Sequence, residues 1–262
     1  MITLAQHIVI ALVALLGGMA NAIAGGGMLL VFPALVGLGV PSLVANATST
    51  VALWPGGVAS MFGYRAELAG AREWAIHFAI PSLLGGLTGG VLLTITTQRQ
   101  FDAIVPFLVL FATVVFLFQR PLLDAVRRRT GYRSPSAVDA TKTKPPRAFL
   151  IFHFFVAVYG GYFGGGAGII ILAALGLMGL TNIHQMNGLK NVFAALFNLM
   201  AIAAFVWKGL VDWPVAASMM AGSIAGGFLA SHTAQRVPQS WVRASIGLIG
   251  FAAGAWMLFG RR

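Results

Sequence analysis

The sequence predicts an all-α polytopic membrane protein made of two repeated halves, each with 4–5 hydrophobic segments, some glycine-broken or re-entrant. Three observations lead to this class. The 262 residues are 58% hydrophobic and only 9% charged, whereas a soluble domain carries roughly 25% charged residues. The apolar residues fall into long runs, at about 3–24, 28–38, 44–62, 74–96 and 102–119, and again at about 148–163, 167–180, 191–207, 213–231 and 241–259. The two sets of runs flank one polar, basic segment, and glycine clusters occur in the same order in each.

In the first run, Ala20-Asn21-Ala22 has the small residues of a signal-peptide cleavage site. No Lys or Arg precedes it, and a signal peptide needs a basic start. The stretch is therefore expected to remain as a membrane span. A crossing helix needs roughly 20 residues and at least about 17, so the runs 28–38 and 167–180 are too short to cross unaided. Each follows a glycine triplet: Gly25, Gly26 and Gly27 in the first half, Gly164, Gly165 and Gly166 in the second.

At an offset near 140 residues, Gly25, Gly26, Ala34, Leu35 and Gly39 match Gly165, Gly166, Ala174, Leu175 and Gly179. With a small slip, Trp74, Gly85, Gly89 and Gly90 match Trp213, Gly222, Gly226 and Gly227. Duplication accounts for this order best. The expected organisation is a first membrane repeat at 1–120, a basic cytoplasmic linker at 121–147 and a second membrane repeat at 148–262.

The net charge of +11 could suggest nucleic acid, but its location argues for a membrane boundary. Eight of the 17 basic residues, from Arg120 to Arg147, lie in or beside the polar segment. The positive-inside rule places that segment in the cytoplasm, within reach of anionic headgroups. Five crossings per half would invert the halves and put both termini outside. Four would make the halves parallel with both termini inside. Both schemes give 13 basic residues inside against four outside, so charge does not choose between them.

Enzyme readings find little support. Cysteine is absent, which excludes disulfides and thiolate chemistry. The six acids are scattered, the histidines lack metal-ligand spacing, and the glycine triplets lack the Gly-Lys-Ser/Thr of a phosphate-binding loop. No cofactor and no metal is expected.

The polar residues inside the apolar runs carry the functional signal. Between Ile183 and Trp207 the only formal charge is Lys190. On a helix Asn187, Asn191 and Asn198 share one face, with Lys190 beside it. One reading has Lys190 snorkelling from a helix end to the lipid surface. The other has it facing a protein-lined site, as intramembrane ionisable groups tend to do. The first half has Asn46, Thr48, Ser49 and Thr50 in the corresponding place. Amides, hydroxyls, one cation and the backbone N–H groups freed at glycine breaks suit an oxyanion. The same features also admit plainer roles: back-bonded hydroxyls, and glycines that only bring helices close. The plainer role is favoured for Gly85 and Gly89, and for Gly222 and Gly226.

The pattern from Ala24 to Pro33 and that from Ala45 to Thr50, repeated more loosely from Gly164 to Gly168 and from Met186 to Asn191, resemble the TauE/SafE sulfite-exporter family. The resemblance covers nearly the whole chain outside the linker. One departure is Ala173, which stands where the first repeat has Pro33. The resemblance implies a multi-pass transporter of the bacterial inner membrane. Its partners would be a small sulfur-containing anion and the lipid bilayer, with no nucleic acid and with a homodimer left open. Export of sulfite or a small organosulfonate is the leading expectation. Proton-coupled uptake of an anion and a non-transporting partner subunit are the alternatives.

Overall fold

A computed structural model describes residues 3–24, 26–64, 68, 70–118, 121, 125, 144–180, 182–233 and 239–260. Gly25 and most of the basic linker lie outside the described residues. Ten helices make up the fold among those described. They are α1 (Leu4–Ala24), α2 (Gly27–Gly37), α3 (Ser42–Gly63), α4 (Arg72–Ile95) and α5 (Gln98–Leu117), then α6 (Arg147–Tyr162), α7 (Ala167–Leu177), α8 (Ile183–Trp207), α9 (Trp213–Thr233) and α10 (Gln239–Phe259).

By length and composition, four of them (α1, α4, α5 and α8) can cross a membrane. Their outward faces are apolar: Ile76, Ile80, Leu84 and Ile95 are exposed along α4. Water would penalise such a surface and lipid would not. The chain is a multi-pass membrane protein. In α3, which is 22 residues long, the polar stretch from Asn46 to Thr50 points inward instead, with Asn46, Thr48 and Ser49 buried. The short helices α2 and α7 have 11 residues each, about 16 Å of rise, half of a bilayer core.

Close contacts fix the helix directions. Gly27 packs on Gly17 and Asn21 while Gly17 meets Val31, so α2 folds back along α1. Gly222 and Gly226 of α9 meet Ala11 and Leu15 of α1, with the two helices parallel. Gly85 and Gly89 of α4 meet Ala157 and Val158 of α6, again parallel. Other pairs correspond in the same way. Ser223 of α9 donates to the Ala52 carbonyl of α3 at 2.8 Å, and Gly86 and Gly90 of α4 pack on Phe197 and Ala201 of α8. Between α5 and α10, Leu110, Thr113 and Leu117 meet Gly254, Gly250 and Gly247 in antiparallel order. Consecutive helices therefore alternate in direction throughout. The start of α1 and the end of α10 share one end of the bundle; the end of α5 and the start of α6 share the other.

The glycines in these contacts let backbones approach to a distance that a side chain forbids, the small-residue packing expected between membrane helices. This is the plainer role, and the structure supports it for Gly85, Gly89, Gly222 and Gly226. A Cβ on Gly226 would run into the Leu15 carbonyl, while one on Gly227 would have nothing within 4 Å. Gly226→Val should therefore cost about 1–3 kcal/mol through overpacking, and Gly227→Ala should be neutral. Thermal denaturation in detergent, with size-exclusion profiles, checks both.

Candidate functional site

The candidate site is built around the interruption between α6 and α7. Helix α6 ends at Tyr162, and α7 begins after Gly166. Gly164 and Gly166 have φ of +82° and +78°, a region in which a Cβ costs energy. Gly166 caps α7 without a side-chain hydrogen bond. The Ala167 and Ile169 N–H groups donate to the Gly164 and Gly166 carbonyls at 3.3 and 3.0 Å, which leaves the Gly168 N–H as the first-turn donor for another partner. The carbonyls at the end of α6 face the complementary problem. The Tyr159 hydroxyl donates to the Gly165 carbonyl. Asn46, from α3, donates through Nδ2 to the Tyr162 carbonyl at 2.9 Å.

Lys190 approaches the same interruption from α8. It stands seven residues after Ile183, the first residue of α8, about 10 Å along the helix. Its stem lies on Gly168 in the first turn of α7: a Cβ there would be 3.2 Å from the lysine Cδ and 3.5 Å from Cγ. The Nζ donates to Asn187 Oδ1 at 3.2 Å, so the partner it shows is an amide oxygen. Asn187, Asn191 and Asn198 are all half-buried on α8. An ammonium beside a helix start adds to the partial positive charge that the first turn carries of its own. Such a place favours an anion.

The polar stretch of the first half does not meet Lys190 at one point. Helices α3 and α8 run antiparallel: Trp54 Nε1 donates to the Ala195 carbonyl at 3.0 Å, and the Tyr64 and His184 rings lie 6.3 Å apart. With that register, Thr50 and Lys190 sit on the order of 10–15 Å apart along the bundle. Instead the two stretches address the two sides of one interruption, Asn46 at the end of α6 and Lys190 at the start of α7. The Thr50 hydroxyl donates back to the Asn46 carbonyl at 2.9 Å, and Thr48 Oγ1 accepts from the Asp212 N–H at 3.1 Å. Those two are structural bonds. Asn46 Oδ1 and Ser49 Oγ are buried without a hydrogen-bond partner.

The two triplets differ. Gly26 and Gly27 are buried, and the places where side chains would start are filled: by Phe116 and Ile246 at Gly26, by Gly17 and Asn21 at Gly27. These are close-packing positions. Gly165 is likewise pressed against Phe163 and Ala112, whereas Gly166 sets the direction of α7 and Gly168 makes room for Lys190. His184, close to Lys190 in sequence, is exposed and lies against Tyr64.

Gly168 and the Asp102 group drew no attention in the sequence as functional positions. Asp102 accepts from Ser42 Oγ at 2.6 Å and from Gln98 Nε2 at 3.0 Å. The spacing of Gln98 and Asp102 by four at the head of a span was the available signal. A separate apolar cleft between α4, α6, α7 and α8, lined by Phe78, His153 and Phe193 among others, lies beside the Ser82–His153 hydrogen bond of 2.8 Å. Lys190 is not among its lining residues.

A helical bundle with a lipid-compatible surface, two half-length helices and a lysine within a candidate span defines a polytopic membrane protein of transporter type. The chain belongs to the sulfite exporter TauE/SafE family, whose model matches residues 10–257. It is 29% identical over 242 residues to a probable membrane transporter protein of Haemophilus influenzae, covering 91% of this chain and 89% of that one. It is 26% identical over 249 residues to the probable membrane transporter protein YfcA of Escherichia coli K12, covering 94% and 87%. A probable membrane transporter protein ORF9 of Sinorhizobium is 25% identical over 249 residues, covering 94% and 89%. No solved structure matches the chain.

Tyr159→Phe and Asn46→Ala each remove one bond that holds the interruption. Each should cost about 0.5–1.5 kcal/mol, and the double variant should deviate from additivity because both bonds constrain the same turn. A double-mutant cycle by thermal or denaturant unfolding in detergent measures this.

Proposed function

We propose that the protein exports sulfite or a small organosulfonate across the inner membrane by a secondary mechanism, with Lys190 as the fixed cation of the binding site. The observation that carries this reading is the seat of the Lys190 stem on Gly168, in the first turn of the half-length helix α7. Asn187 and Asn191 extend the polar set on α8, and the Gly168 N–H, directly under the lysine stem, extends it on α7. A sulfur oxyanion offers several acceptor oxygens to such a group. Family membership supports the transport of a sulfur-containing anion, and the relatives are named as membrane transporters.

The reading includes two duplicated halves at 1–120 and 148–262, joined by a cytoplasmic linker at 121–147. The corresponding pairs α1–α9 and α6–α4, and α3–α9 and α8–α4, support duplication. The alternating directions support the inverted arrangement, in which α2 and α7 enter and leave from opposite faces. With the basic linker inside, Arg99 and Lys208 fall at the outer face and Arg72 at the inner one. Alternating access then amounts to one half rocking against the other around the α6–α7 interruption.

Export needs no ATP. An inside-negative potential drives an anion outward with about 2.3 kcal/mol per charge per 100 mV, which corresponds to about a fifty-fold gradient of a monovalent anion. Proteoliposomes with an imposed potential test this. Wild-type protein should move sulfite or sulfoacetate in the direction set by the potential. Lys190→Ala should lose at least about tenfold in flux with normal membrane insertion. Gly168→Leu, which displaces the lysine stem, should do the same, and Gly168→Ala should retain more activity because the flexible stem can yield. Undiminished flux in Lys190→Ala would remove the site assignment.

A further inference from the structure

We infer that the buried face of α3 carries a site for a desolvated monovalent cation, Na⁺, formed by Asn46 Oδ1 and Ser49 Oγ at the carbonyl end of α6. Both oxygens are fully buried and lack a hydrogen-bond partner. Buried polar atoms in native structures are almost always paired, so two orphans three residues apart on one helix face call for a ligand. The chemistry of the place selects its sign. Asn46 donates one amide hydrogen to the Tyr162 carbonyl at 2.9 Å, which fixes the amide with its oxygen as the unpartnered acceptor, and the end of α6 contributes partial negative charge. A hard cation takes oxygen ligands of this kind, and half-helix carbonyl ends suit one.

The polar face of α3 continues to the end of the bundle. Ser42, Asn46 and Ser49 follow one another at spacings of four and three, and all three are fully buried. Ser42 is bound to the Asp102 carboxylate at 2.6 Å, where α3 and α5 both begin. A carboxylate thus stands at the bundle end, with Asn46 and Ser49 one and two turns further in.

Cation and anion would meet the α6–α7 interruption from its two sides, so each should strengthen the other's binding by the same factor. That linkage rests on the anion reading of Lys190; the cation site does not.

The experiment uses the purified full chain in detergent at fixed pH and ionic strength. Melting temperature and ²²Na⁺ binding are measured as NaCl replaces choline chloride. Wild-type protein should show saturable stabilisation by Na⁺. Ser49→Ala should weaken Na⁺ binding about tenfold or more, yet be as stable as wild type, or more so, in choline, because an orphan hydroxyl is gone. Ser49→Asp should tighten Na⁺ binding several-fold by adding a charge while leaving the Asn46–Tyr162 bond in place. Equal melting temperatures in the two salts with no ²²Na⁺ bound would overturn the inference, as would Na⁺ binding that neither substitution changes.

The linkage is read with sulfoacetate. Its affinity should rise in Na⁺, and Na⁺ affinity should rise by the same factor in sulfoacetate. If proteoliposomes carry sulfoacetate equally well in choline and in Na⁺, the linkage fails and the transport reading stands. If Na⁺ binds but no sulfur anion moves, the transport reading fails and the cation site stands.

Discussion

A break between packed helices frees backbone groups that must find partners within the protein, and the turn between α6 and α7 shows how this fold supplies them. Between Tyr162 and Ala167 the chain leaves the helix and turns back, which frees carbonyls on one side, while on the other the Ala167 and Ile169 N–H groups bond to the Gly164 and Gly166 carbonyls of the turn itself. Side chains from two elements meet the carbonyl side: Tyr159 binds Gly165 and Asn46 binds Tyr162. The N–H side is left to α7 itself, beside the one lysine of the α8 span. The interruption thus has a sign on each side. The surrounding helices hold those two sides in place.

The holding is done by close helix contacts rather than by hydrophobic burial, which has little force between surfaces that lipid solvates equally well. Helix α1 lies on α9 and α4 lies on α6, with glycines at one-turn intervals in each seam. Both seams join the first five helices to the last five. The bonds that cross between them do the same: Trp54 to Ala195, Ser223 to Ala52, and Asn46 to Tyr162. Neither set of helices is a free-standing body in this arrangement. Any rocking between them has to be accommodated along the seams, where a single methyl group would be felt.

Much of the frame was legible in the sequence because membrane physics writes in long runs. The apolar stretches match most of the helices closely, although α8 begins at Ile183, eight residues before the run at 191, and the two short runs after glycine triplets appear as α2 and α7, of 11 residues each. The small-residue reading of Gly85, Gly89, Gly222 and Gly226 also agrees with the packing. The site was legible only in part. Lys190 could be recognised as exceptional, but its seat on Gly168 depends on how α7 folds back, which no local pattern specifies. Composition grouped Asn46 to Thr50 with Lys190 as one donor set. The antiparallel register of α3 and α8 separates them, and only the tertiary fold sets that register. Back-bonding of Thr50 and the bond of Thr48 to Asp212 are likewise decided by rotamers and neighbours. The tie between Asp102 and Ser42 spans 60 residues, so an acid that looked like a loop residue belongs to a polar group at the end of the bundle.

The central claim is that an oxyanion binds where the ammonium of Lys190 meets the first turn of α7. Calorimetric titration of the purified protein with sulfite, sulfoacetate, taurine, thiosulfate and sulfate tests it most directly, with Lys190→Met as the control that keeps the length of the side chain and removes its charge. The account predicts saturable binding of at least one of the sulfur oxyanions by the wild-type protein and its loss in the variant. Binding of none of them, or equal affinity in the two proteins, would contradict it.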